Sequence, residues 1–147
     1  MDNSVGIFKN KVDDNMILVP FGVDESGVSR GLKKYKRVNK SEGSMIVGAS
    51  LKECFDIIIN NEYTIEDMKN VDIKRITGDK SEKKFTEKHL YQIVFLVQHK
   101  GFEFEPKIRD EQYNCYSGNG WVSEELLLSA SNEELGEAVF RTFELCK

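Results

Sequence analysis

Proline is scarce: Pro20 and Pro106 are the two in 147 residues. No proline-rich linker divides the chain, so one domain over residues 1–147 is the simplest organisation. Long apolar runs are missing too. The longest is Ile93 to Val97, five residues, where a membrane-spanning helix needs about 20; no membrane partner is expected. Met1 to Gly6 carry neither a cationic start nor an apolar stretch, so no secretory signal is read and the cytoplasm is the expected compartment. Cysteine is limited to Cys54, Cys115 and Cys146, odd in number, far apart and without a C-x-x-C pair. That excludes a disulfide framework and a zinc knuckle. Two histidines, His89 and His99, are too few for a histidine-rich centre, and neither a metal nor a small-molecule cofactor is expected.

Charge is plentiful but unevenly placed. The formal net charge is -4, yet residues 101–147 hold ten carboxylates against four basic side chains, a balance of -6 that leaves the rest of the chain slightly basic. The basic side is concentrated in Arg30, Lys33, Lys34, Lys36, Arg37 and Lys40, with Tyr35 among them and no acid between residues 30 and 40. Such a run is either a solvated edge strand guarded by lysines or a phosphate-contacting surface.

Periodicity supplies the elements. Ile7-Phe8 and Met16 to Phe21 flank a polar cluster and predict a hairpin, with Pro20 ending its second strand or marking an edge. Gly22 to Gly31 reads as a loop. Ser50-Leu51-Lys52-Glu53 has the form of a capping box before Leu51, Cys54, Phe55 and Ile58, predicting a helix over about 51–60. Gly43 and Gly48 have the spacing of a phosphate-binding loop, but Ala49-Ser50 follow where a lysine is required, so that motif is rejected. Thr64 with Asp67 suggests a short helix. Val71 to Ile76 reads as a short strand and Thr77 to Thr86 as a charged loop. Leu90 to Gln98, apolar on both faces, predicts a central strand. Next, Phe102, Phe104 and Ile108 alternate with Glu103, Glu105, Lys107 and Arg109, one face core and the other wet. Asn114 to Tyr116 and Glu125 to Ser129 are further strands, with a turn over Ser117 to Gly120 between them. Ser131-Asn132-Glu133-Glu134 opens a C-terminal helix whose stripe is Leu135, Val139, Phe143 and Cys146. Connections this short between residues 90 and 116 exclude crossover helices. The expected fold is α+β, a mostly antiparallel sheet of about five to seven strands packed with two main helices.

No catalytic triad spacing, nucleotide fingerprint or metal-binding signature is present. Two weaker openings for an enzyme are Cys115, which would need His89 or His99 beside it, and the strand carboxylates Glu103 and Glu105. The acidic half offers a better protein-binding surface: Glu103, Glu105, Asp110 and Glu111 beside Tyr113, Tyr116 and Trp121, acids to steer a basic partner and aromatics to anchor it.

The closing pattern, Leu126-Leu127-Leu128-Ser129 followed by Ser131-Asn132-Glu133-Glu134-Leu135-Gly136-Glu137-Ala138-Val139 and Phe143-Glu144-Leu145-Cys146, resembles the tail of bacterial immunity proteins of contact-dependent growth inhibition systems, the CdiI-like family. The resemblance is best over residues 121–146. It implies a small cytoplasmic protein without catalysis that binds and neutralises the C-terminal toxin domain of a cognate effector, commonly a nuclease. Some similar pairs associate by strand addition. A nuclease must attract phosphate, so a basic toxin cleft suits the acidic surface above, and the basic segment 30–40 is then expected to lie away from the interface. The alternative is a single-stranded nucleic-acid binder using Arg30, Lys33, Lys34, Tyr35, Lys36 and Arg37.

Overall fold

Alternating apolar residues at the N-terminus build the first hairpin. The computed structural model of the chain describes residues 3–69, 71–118 and 121–147. Strands β1 (Asn3–Asn10) and β2 (Asn15–Val23) pair antiparallel, and the polar cluster between them turns on Asn10, whose Oδ1 accepts from the Val12 and Asp13 amides. Two short strands, β3 (Ser29–Gly31) and β4 (Lys36–Asn39), share the outer side of β2. The loop expected over Gly22 to Gly31 is therefore confined to residues 24–28, where Asp24 accepts from the Ser26 and Val28 amides.

Pro20 neither ends β2 nor lies on an edge strand. It sits where the neighbour of β2 changes from β4, paired with residues 15–18, to β3, paired with 21–23. Only its carbonyl is used there, accepting from Leu32 N–H at 2.9 Å, so the missing proline donor costs no ladder bond.

Helix α1 (Ser44–Ile59) begins well before the expected start near residue 51. Its entry is set by a single turn at Lys40–Glu42, where Asn39 and Glu42 form a reciprocal capping box. Ser50 lies inside the helix, so Ser50-x-x-Glu53 copies a cap only in sequence. The Thr64 and Asp67 pairing is real and starts a 3-10 turn, Ile65–Met68. The strand expected over Val71 to Ile76 is instead helix α2 (Ile73–Thr77), bracketed by the Asp72 cap and a left-handed Gly78. Helix α3 (Glu82–Lys88), capped by Ser81, occupies much of the expected charged loop. Both helices are too short for helical periodicity to show in sequence.

Strand β5 (His89–Val97) is central, as its two apolar faces require, between β1 and β6 (Gly101–Pro106). Pro106 ends the run. Strand β7 (Ile108–Asp110) leaves the main sheet and pairs with β8 (Cys115–Ser117) as a separate ribbon. Ile108 is consequently exposed, not a core continuation of Phe102 and Phe104. Asn119 and Gly120 of the expected turn lie outside the described residues. Strand β9 (Glu124–Leu127) pairs with β6, starting one residue and ending two residues before the expected Glu125 to Ser129, and helix α4 (Asn132–Glu144) starts at the Ser131–Glu134 capping box. The result is α+β, a seven-stranded antiparallel sheet in the order β3-β2-β1-β5-β6-β9, with β4 beside β3 on β2.

Helices α1 and α4 cover one sheet face and enclose the main core, which includes Val5, Ile7, Met16, Leu18, Leu51, Val94, Phe104, Leu135 and Val139. They touch backbone to backbone. A Cβ at Gly48 would lie 1.7 Å from the Asn132 carbonyl oxygen, and one at Gly136 1.8 Å from that of Ser44, so only glycine permits this crossing. The other sheet face carries a smaller aromatic cluster. Phe8, Ile17, Val19 and Phe85 are packed there by Tyr35, Ile73, Ile76, Tyr91 and Tyr116, with Phe8 and Tyr91 stacked at 4.2 Å. Helices α2 and α3 and the β7–β8 ribbon are the cover of that second layer.

Candidate functional site

Strand alternation divides the acidic residues by availability. Glu103 projects from the second sheet face, directly opposite Glu125 on β9. Like charges in that register repel, and Lys100 sits between them, its ammonium 3.1 Å from Glu103 and 3.4 Å from Glu125. The hydrogen bond to Glu103, reinforced by that to Glu125, holds the lysine's pKa above its ordinary value. Glu105 is different. It is buried, with Lys107 Nζ at 2.7 Å, and the backbone of Gly118 packs over the pair so closely that a Cβ would lie 2.5 Å from the carboxylate.

The β7–β8 ribbon presents the remaining groups. Asp110 accepts from the Gln112 and Tyr113 amides, which spends its carboxylate on shaping the turn. Glu111 and Tyr113 stand out at the tip, Tyr113 being 70% exposed. Tyr116 turns inward, donating to the His89 carbonyl at 2.8 Å and packing on Tyr91; burial pushes its hydroxyl pKa up. Arg109 fastens the ribbon to α3 through Thr86 Oγ1 and to its own turn through Asn114. Trp121 is half exposed. Glu111 and Tyr113 are thus presented to solvent and Trp121 is half exposed, Glu103 is 19% exposed and paired with Lys100, and Glu105, Asp110 and Tyr116 are engaged in holding the local structure. Sequence alternation put Glu103 and Glu105 on one face but gave no signal of the Gly118 cover that separates them.

The basic segment occupies the opposite end of the main sheet from Glu103 and Glu125, on β3, β4 and their connection. Its distance from the ribbon is shorter, because Tyr35 and Tyr116 pack around one aromatic cluster. Its charges are dispersed. Arg30 pairs with Asp24 at 2.7 Å, Lys36 with Glu53 at 3.3 Å and Lys33 with Glu66 at 3.9 Å. Lys34 donates to the Glu62 carbonyl, and Arg37 donates to the Ile76 carbonyl while lying 5.6 Å over Tyr35.

Cys115 is exposed, and no hydrogen bond joins it to a histidine among the described residues. His89 is buried, its Nδ1 2.9 Å from the Phe85 carbonyl; His99 is exposed in the turn after β5. Among the described residues no three His, Cys, Asp or Glu side chains gather as metal ligands, and no helix is long and apolar enough to cross a membrane.

No family model and no curated protein sequence matches the chain. Its fold does have solved counterparts. A protein of unknown function from Neisseria meningitidis superimposes with a TM-score of 0.72 at 12% identity, covering 100% of this chain and 96% of that one. A chain of the CdiA-CT/CdiI toxin and immunity complex from Yersinia pseudotuberculosis superimposes with a TM-score of 0.69 at 11% identity, covering 100% and 98%. At these identities what is shared is the fold, and it is shared from end to end: the chain has the fold of a protein in a toxin and immunity complex.

Proposed function

We propose that the chain is an immunity protein, which binds the toxin domain of a cognate contact-dependent growth inhibition effector and blocks it by occlusion rather than by catalysis. The observation that carries this reading is the end-to-end likeness to a chain of a toxin and immunity complex, which agrees with the resemblance of residues 121–146. The binding residues in this reading are Glu103 and Glu125 at the acidic end of the sheet, Trp121 ahead of β9, and Glu111 and Tyr113 at the tip of the ribbon, which is fastened to α3. A nuclease with a basic cleft is the partner chemistry that such a surface favours. Strand β9 closes the sheet on this side, its outer edge without a strand partner among the described residues. That edge gives strand addition a place to occur.

The test is co-expression with the toxin domain encoded beside this chain, followed by native mass spectrometry and a nuclease assay. A stoichiometric, salt-tolerant complex in which nuclease activity disappears is the expected result. Charge reversal by Glu103→Lys and Glu111→Lys is expected to weaken it by about 1–3 kcal/mol where the charges are desolvated on binding, and less at a rim. A toxin that stays free and active beside this chain overturns the reading; a complex untouched by both reversals moves the interface elsewhere.

A further inference from the structure

The cations between Arg30 and Lys40 do not form one patch, because alternation along β4 sends neighbours to opposite sides. Lys36, in register with Leu18, faces α1 and pairs with Glu53; Arg37, in register with Ile17, faces α2 and donates to the Ile76 carbonyl. Arg30 is held by Asp24, Lys34 by the Glu62 carbonyl, and Lys40 lies 5.6 Å over the Phe140 ring. Lys33 and Arg37 are left on one side, and the fold adds a cation from elsewhere in the chain. Arg75 of α2 joins them around an open hollow of about 370 Å³, with Tyr35 in its wall.

Three cations line this hollow against one acid, Asp72. That acid is partly committed, since its Oδ1 accepts from the Lys74 amide at 3.1 Å while its other oxygen stands 3.9 Å from Arg75. Glu66 approaches Lys33 from outside, also at 3.9 Å. Both pairings are long and solvated, and such pairs are worth little. Arg37 is fixed by Tyr35 and the Ile76 carbonyl, a contact that engages one of its five N–H donors. Arg75 has an 82% exposed side chain. A carboxylate would occupy one guanidinium fork; two forks and an ammonium match the several oxygens and greater charge of a phosphate. The acidity of the whole chain does not oppose this, because its excess acid belongs to residues 101–147.

We infer that the hollow bounded by Lys33, Tyr35, Arg37 and Arg75 is a phosphate-binding site for a nucleotide or for single-stranded nucleic acid. It is a second surface, independent of the toxin-binding reading.

The probe is a fluorescein-labelled ten-residue oligouridine, titrated with the full chain by anisotropy at about 50 mM salt, with uridine monophosphate and unlabelled oligomer as competitors. Neutralising three phosphates of a single strand predicts a log–log salt slope of about -2. Arg75→Ala, at an exposed position where folding is not at stake, is expected to weaken binding about fivefold or more, and Arg37→Ala likewise. Arg30→Ala and Lys36→Ala remove the same charge from committed residues and are expected to change it less than about twofold. Competition by the mononucleotide identifies a nucleotide as the source of the phosphate; competition by the oligomer alone identifies a strand. No binding at low salt, or an equal loss in all four variants, overturns the inference, the second result meaning a diffuse field without a site.

Discussion

Gly136→Ala should destabilise this protein although alanine is the better helix former. At a solvent-facing helical position the change returns about 0.8–1 kcal/mol. Here the added methyl meets the Ser44 carbonyl oxygen at 1.8 Å. Ordinary contact begins near 3.4 Å, so α1 and α4 must separate by at least about 1.6 Å along that line. The side chains around the crossing, Val47, Leu51, Leu135 and Val139, are wholly buried, and a gap of even 0.5–1 Å forfeits about a quarter to a half of each contact's attraction. Overpacking costs roughly 1–3 kcal/mol, and the upper end applies because the obstacle is backbone. Set against the propensity gain, the net loss is about 2 kcal/mol, a fall in Tm of roughly 4–8 °C. Urea denaturation followed by far-ultraviolet circular dichroism reads it as a lower midpoint at unchanged slope. Gly48→Ala, 1.7 Å from the Asn132 carbonyl oxygen, should behave alike. The double variant should cost less than the sum, because one methyl has already parted the helices. A Gly136→Ala protein as stable as its parent refutes the backbone crossing.

Three further outcomes follow from local geometry. Ser131→Ala removes the hydroxyl that accepts from Glu134 N–H and should cost about 1 kcal/mol, whereas Ser50→Ala, inside α1, should stay within about 0.5 kcal/mol in the same denaturation assay; equal costs would mean that Ser50 caps after all. Burial pushes the Cys54 thiol up to about 12 and the Cys146 thiol up to about 11, while Cys115 is exposed, so maleimide labelling of the native protein at neutral pH should mark Cys115 first and the other two only on unfolding. Burial of Asp79 pushes its pKa up, but hydrogen bonds from Lys88 and Thr77 outweigh it and the carboxyl titrates below its ordinary value. The unfolded chain then takes up that proton first, so the stabilisation is complete above the ordinary carboxylate range and is lost as pH falls through the folded value; Asp79→Asn should flatten the acid limb of a Tm-versus-pH curve, and an unchanged limb counts against the network.

The elements with strong periodicity were legible: the β1–β2 hairpin, the two-faced β5, and α4 with its true capping box. Misreadings arose where local chemistry is ambiguous. Ser50-x-x-Glu53 has the residues of a cap but lies downstream of the real entry at Asn39, and Gly43 and Gly48, read as loop spacing, are an N-terminal boundary and a helix-crossing point. Residues 71–88 hide two helices because so short a helix buries too few side chains to set a period: α3 buries Phe85 and Thr86, and α2 buries none fully. In the candidate surface, face and sign were readable from alternation. What sequence could not carry was the tertiary cover, Gly118 over the Glu105–Lys107 pair and the aromatic cluster that turns Tyr116 inward. Arg75 entered the basic hollow for the same reason: no periodicity links residues 33, 37 and 75.

The Glu103–Lys100–Glu125 triad gives the charge argument its sharpest form. Two carboxylates stand opposite each other across β6 and β9, and an ammonium, itself half exposed, masks both. Lys100→Ala should cost stability modestly, at most about 0.2–1 kcal/mol for the unmasked cross-strand repulsion. For a basic toxin it should nevertheless help binding, since the field of two uncovered acids steers a cationic partner more strongly. Stopped-flow association with the toxin domain at low salt should then speed up by about two- to fivefold, the gain shrinking as added salt shortens the Debye length. A purely structural lysine predicts the same modest loss of stability with an unchanged association rate. Slower association, or a gain indifferent to salt, would remove Glu103 and Glu125 from the encounter surface.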